Sequence, residues 1–140
     1  MELMELSLSI NSKKVTLVII YRPESSDTNT YTMETFFEEF NELMAYYHLI
    51  KNEVIITGDF NIHVNKPTLS TTKKLNEILD TFGLIQHIEE PTHKYGNTLD
   101  LLITRKNTAM KEFVVDEQLS DHNNIIFKLN FNKPPPNKKT

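Results

Sequence analysis

Residues 5–10, ELSLSI, alternate polar and apolar, whereas Val15–Tyr21, VTLVIIY, is a denser β-branched run, and the NSKK between them has hairpin-turn character. The pattern predicts an opening hairpin whose second strand is buried. Pro23 and the polar ESSDTNT then end that strand in a loop. From Met33 the period changes: Met33, Phe36, Phe37, Phe40, Leu43, Met44 and Tyr47 recur at helical spacing, with Thr32 placed to cap the helix and Glu34 in its first turn. This aromatic stripe reads as a helix face packed on a sheet, not as a cofactor box. EVIITGDF, from Glu53, has the profile of a short buried strand. A second helix is predicted over STTKKLNEILDTFG, where Leu75, Ile78, Leu79 and Phe82 share a face and Gly83 stands at a left-handed C-cap. LIQHI, TLDLLIT, EFVVD and NIIFKLNF are further strands, the last with Phe127, Leu129 and Phe131 on one face. The order β-β-α-β-α-β-β-β-β predicts an α+β domain with helices layered on one side of a sheet. No internal repeat is seen, and the tail NKPPPNKKT, residues 132–140, reads as an extended, disordered segment after a domain over 1–131.

A length of 140 residues with 39% hydrophobic content suits one core. No apolar run approaches the length of a membrane span, and the first residues carry acids where a secretory signal carries bases. Cysteine is absent, which rules out disulfides and thiolate metal sites and suits a reducing, intracellular location, the nucleus included. A net charge of −4 gives no global attraction to nucleic acid or an anionic membrane, although a local basic patch remains compatible with it.

Polar groups stand beside strong strands at four places: Tyr21 and Arg22 in IIYRPES, Asp59 and Asn61 in IITGDFNIHV, Asp100 in GNTLDLLIT, and Asp121 and His122 in LSDHNNIIFKL. A sheet could converge them on one edge, where rigid strands fix geometry and loops leave it open to a substrate. Each also has a bland reading. GDFN alone is an ordinary turn, Ser120-Asp121 can form a local Asx or Ser turn, and a lone histidine is more often a hydrogen-bonded one than a catalyst. Asp100 is harder to dismiss, because a carboxylate between Leu99 and Leu101 needs a partner, and His122 is an available one.

In their order along the chain, IIYRP, GDFN, PTH…GNTLDLLIT and SDH before an apolar strand resemble the endonuclease/exonuclease/phosphatase superfamily, and most closely the apurinic-endonuclease-like domain of non-LTR (LINE-type) retrotransposons. The resemblance covers residues 5–131. It implies a deoxyribonuclease-I-like fold, a two-layer β-sandwich flanked by helices, of which this chain would supply the C-terminal half. It also implies magnesium or manganese as cofactor, a DNA phosphodiester as substrate, and water attacking phosphorus in line with the leaving oxygen.

By the same resemblance, Asp59 orients and deprotonates the water, and Asn61 helps to hold the phosphate. A period of two would send both side chains off one face of an extended segment while Phe60 turns inward. His122 contacts a phosphate oxygen and Asp100 pairs with it, Tyr21 reaches the scissile phosphate, and Asp121 occupies the family's metal or adjacent position. Arg22, Thr92 and Asn97 are implied at the substrate, Arg22 as a grip on a backbone phosphate or as a surface arginine. The family's asparagine and its metal-binding glutamate precede the strand matching VTLVIIY. Glu2 and Glu5 read as a solvated strand face, not as substitutes. One sheet face should then lack its partner, favouring association with an N-terminal half, a reverse transcriptase region or a second copy. The functional readings are thus a DNA-nicking hydrolase impaired in this chain, a non-catalytic relic or binding fragment of the same fold, and a phosphatase of the superfamily.

Overall fold

A computed structural model describes residues 1–24, 32–93 and 96–108 in full, and the backbone of 110–116 and 124–129. The elements follow the predicted order: β1 (Glu2–Ile10), β2 (Lys13–Tyr21), α1 (Met33–His48), β3 (Glu53–Asp59), α2 (Ser70–Thr81), β4 (Leu84–Gln86), β5 (Asp100–Arg105), β6 (Met110–Asp116) and β7 (Asn124–Leu129). A five-stranded sheet has the order β1-β2-β3-β5-β4, and β6 and β7 pair antiparallel as a separate two-stranded sheet. The side chains of β6 and β7, Phe131 and the proline tail lie outside the described residues.

The opening hairpin turns through two residues only, Asn11 and Ser12, since Ile10 pairs with Lys13. Both have positive φ, 49° and 66°, the requirement of the turns whose twist matches a hairpin. β1 starts earlier than ELSLSI suggests, at Glu2, because its pairing with β2 runs the full length from Glu2–Tyr21 to Ile10–Lys13. β2 and β3 are parallel and therefore need a crossover, which α1 provides. β5 returns antiparallel to β3, and β4 pairs at the edge with β5.

Both helices cover one face. Phe36, Phe40, Met44 and Tyr47 of α1 and Leu75, Ile78 and Leu79 of α2 join Val18, Ile20, Val54, Ile56, Leu101 and Ile103 in a single buried cluster. Thr32 caps α1 by accepting from the Thr35 N–H at 3.1 Å. The Arg105 guanidinium closes the other end, donating to the carbonyls of Tyr47, Ile50 and Asn52. Gly83 follows α2 at φ 66°, in the left-handed C-terminal position expected of it. α2 has no side-chain N-cap, as Leu69 occupies that position.

The opposite face is thinly covered by the described residues. Val15, Ile55, Ile88 and Leu102 form a small buried group there, with Leu17 against it. On β1, Met4, Leu6 and Leu8 pair with Ile19, Leu17 and Val15 on this side and remain 40–57% exposed. Glu5 projects to the other side, towards the Tyr47 hydroxyl; burial and then the Glu5 carboxylate push that hydroxyl up to about 12. No described helix is long and apolar enough to cross a membrane.

Gly58 is fixed by close approach. Its φ is 137°, and a Cβ built there would stand 1.9 Å from the carbonyl oxygen of Ile20 on the neighbouring strand. Gly58→Ala is therefore expected to destabilise the fold by more than about 3 kcal/mol. Gly83→Ala, with nothing within 4 Å of the added carbon, should cost about 1 kcal/mol. Urea denaturation of the two variants checks the contrast, and equal losses would contradict it.

Candidate active site

The β2–β3–β5 register carries Tyr21, Asp59 and Asp100 into one row at a single end of the sheet. Tyr21 pairs with Asp59, and Asp59 pairs with Asp100. Tyr21 and Asp100 fall on the face away from the helices, as do Ile19 and Leu102 before and after them. Asp100 is thus the first residue of its strand, half-buried, and not a carboxylate enclosed within it. Two acids directly opposite across an antiparallel pair cost free energy that a strand selected only for stability would avoid. Tyr21 is 43% exposed, leaving its ring accessible beside them.

Beyond Asp59 the chain does not stay extended. Asn61 adopts φ 49°, a left-handed conformation that asparagine tolerates, and its N–H donates to Asp59 Oδ1 at 3.0 Å. GDFN is consequently both the end of β3 and a turn closed by its own aspartate. The expected alternation of Asp59 and Asn61 on one extended face is corrected here. Phe60 does turn inward, fully buried, with its ring edge-on to Phe40 and Phe36 at centroid distances of 5.6 and 5.9 Å. Asn61, however, is placed by hydrogen bonding, since its Nδ2 donates to the Arg22 carbonyl oxygen at 2.7 Å. That bond fixes which end of the amide faces the backbone.

Arg22 does not lie on the surface. It is 6% exposed, and its Nε and Nη2 donate to the carbonyls of Phe60 and Asn61. Thr92 is fully buried. Its hydroxyl oxygen accepts the N–H groups of Leu99 and Asp100, each at 3.0 Å, and so sets the entry of β5. Asn97 is half-buried in the loop before β5, its carbonyl accepting from the N–H groups of Thr92 and His93. Asp121 and His122 lie outside the described residues, and with them the expected Asp100–His122 pair.

Sequence reasoning passed over Asn65 and His63. Asn65 Oδ1 accepts from Thr98 N–H at 3.1 Å and steadies the loop before β5; nothing in its surroundings in the sequence marks it. Two residues beyond Asn61, His63 keeps a buried Nδ1 with no hydrogen-bond partner among the described residues, and the polar position in FNIHV was its only signal. Burial lowers His87 below the ordinary histidine value, but His87 contacts Thr104 and stands outside the row. Among the described residues no group of three or more His, Asp, Glu or Cys side chains could hold a metal ion. Asp59 and Asp100 offer oxygen donors, but by themselves they do not compose a metal centre.

A family model described as endonuclease-reverse transcriptase matches residues 15–126. No protein of curated function matches the sequence. Among solved structures, the endonuclease domain of TRAS1, a telomere-specific non-LTR retrotransposon, superposes with a TM-score of 0.71 at 20% identity, covering 91% of this chain and 61% of that one. An endonuclease/exonuclease/phosphatase family protein from Leptotrichia buccalis gives 0.64 at 16% identity, covering 92% and 53%. The 3′ phosphatase NExo from Neisseria, bound to a product DNA hairpin, gives 0.62 at 14% identity, covering 91% and 65%. These likenesses establish a deoxyribonuclease-I-like fold, and the chain spans between 53% and 65% of the length of the three structures.

The double acceptor at Thr92 makes a sharp expectation. Thr92→Val keeps the shape but leaves two backbone N–H groups without their acceptor, and should cost about 2–4 kcal/mol. Thr92→Ser retains the oxygen and should cost about 1 kcal/mol, the value of a buried methyl. Denaturant midpoints measure both; a valine variant as stable as the serine variant would remove the hydroxyl from this role.

Proposed function

Because the chain belongs to the endonuclease-reverse transcriptase family, within the endonuclease/exonuclease/phosphatase superfamily, we propose that it forms part of a hydrolase that nicks the DNA backbone as retrotransposon endonucleases do. The observation that carries this reading is the row of Tyr21, Asp59 and Asp100 at one sheet end, with Asn61 following on a fixed turn. Hydrolysis of a phosphodiester needs a water aligned and relieved of a proton, and donors set where negative charge develops. In this reading Asp59 takes the proton. One of its oxygens accepts from the turn N–H, which fixes the plane of the carboxylate. Asn61 steadies the water and phosphate, and the Tyr21 hydroxyl donates to a phosphate oxygen. Asp100 orients His122 and favours the imidazolium that meets the pentacovalent charge, the orienting logic of an Asp-His pair without a serine.

Magnesium or manganese is the cofactor this reading implies, with Asp121 among its ligands. The described acids do not form a site for it, so none of these steps is routed through it. The second reading is that the chain alone is a non-catalytic relic or binding fragment of the same fold. The remaining partners we propose are a second sheet layer from an upstream half, a reverse transcriptase region or another copy, seated on the thinly covered face. A phosphatase of the superfamily is the less favoured substrate class, and the location we assign is intracellular, with access to nuclear DNA.

Nicking of supercoiled plasmid in magnesium separates these readings. The chain joined to an upstream half is expected to nick, and Asp59→Ala should slow it by about 10²–10⁴-fold. The 140-residue chain alone should bind plasmid and nick weakly or not at all. An inactive joined protein, or one indifferent to Asp59→Ala, defeats the hydrolytic reading.

A further inference from the structure

We propose that Arg22 is a positioning residue, holding the Asp59–Asn61 turn from beneath without touching substrate. The proposal rests on the hydrolytic reading of that turn and assigns a task to a side chain whose natural reading is a phosphate grip. Arg22 is joined to this segment in both directions. Its backbone N–H donates to the Asp59 carbonyl at 2.9 Å, its Nε to the Phe60 carbonyl, and its Nη2 to the Asn61 carbonyl at 2.6 Å. In return, Asn61 Nδ2 donates to the carbonyl of Arg22. The guanidinium also donates from Nη1 to its neighbour Pro23 at 3.4 Å and stands 5.9 Å from the centre of the Phe36 ring.

The geometry calls for an arginine. In an extended strand successive residues face opposite ways, so the carbonyls of neighbouring residues cannot both be reached from one side. The left-handed Asn61, at φ 49°, brings the Phe60 and Asn61 carbonyls within reach of one group. Nε and Nη2 lie along one edge of a rigid planar fork and meet the two carbonyls together, whereas a lysine ammonium is a point charge on a flexible stem. A buried charge is costly unless hydrogen-bonded, so the fork stabilises the turn conformation that supplies its acceptors. That conformation puts the Asn61 N–H on Asp59 Oδ1, and Arg22 thereby acts on the carboxylate through the turn.

Amide hydrogen exchange on the 140-residue chain tests this directly. In Arg22→Lys, exchange at Asn61 is expected to accelerate by about tenfold or more while the amides of α1 and the β1–β2 pair keep their protection. A uniform loss across those elements, or unchanged exchange at Asn61, overturns the proposal, the first by making Arg22 a general stabiliser. If Arg22→Lys does not fold, Arg22→Met in the chain joined to an upstream half supplies the same measurement. In that joined protein, Arg22→Lys should lower kcat with KM unchanged; a raised KM with kcat intact makes Arg22 a substrate contact and overturns the proposal. Asp59→Asn separates this idea from the hydrolytic reading, because an amide oxygen can accept the same N–H bond. It should preserve the slow exchange at Asn61 and abolish nicking, so continued nicking sinks the hydrolytic reading while leaving the exchange result to judge Arg22.

Discussion

The rest of the structure depends on the seating of one ring. Phe60 is wholly buried against Phe36 and Phe40, and it is the first residue after β3. Aromatic pairs in edge-on contact add about 0.5–1.5 kcal/mol to a burial already worth several kcal/mol. This contact pins the strand end to the crossover helix, so that the residues on either side of it are held by packing on a rigid element. The stripe on α1 therefore does more than fill the core: it decides where β3 stops and how the chain leaves it.

Departures from local rules gather near this pin. Gly58 has a backbone approach no side chain could share, Asn61 is left-handed, a guanidinium is buried, and two carboxylates face each other across β3 and β5. Elsewhere one face of the five-stranded sheet is covered by two amphipathic helices. Such unusual backbone and buried charge at one end of a sheet persist only where the surrounding packing and hydrogen bonds hold them.

Much of this was legible in the sequence. Alternation, β-branched runs and the 3.6-residue period located the described strands and helices, Thr32 and Gly83 marked helix ends, and the order of motifs pointed to the superfamily. Periodicity failed where hydrogen bonds overrule it. Alternation assumes an extended chain, and the turn at Asn61 is held otherwise by Asp59 and Arg22. Charge usually signals surface, so the burial of Arg22 could be seen only once the Phe60 and Asn61 carbonyls were placed around it. Thr92 was noticed as part of a motif, but a hydroxyl that caps two amides looks no different in sequence from one that faces solvent. Asp121 and His122 were named from their motif and lie outside the described residues.

The edge strand β1 carries Met4, Leu6 and Leu8 on one face, with Glu2 at its start on that face and Glu5 on the other, and this pattern limits how the layer can be covered. Charges along an edge discourage another strand from adding there. Met4, Leu6 and Leu8 instead invite contact from above, across the strand direction. Growth by lengthening the sheet and growth by stacking are thus unequal options at this strand.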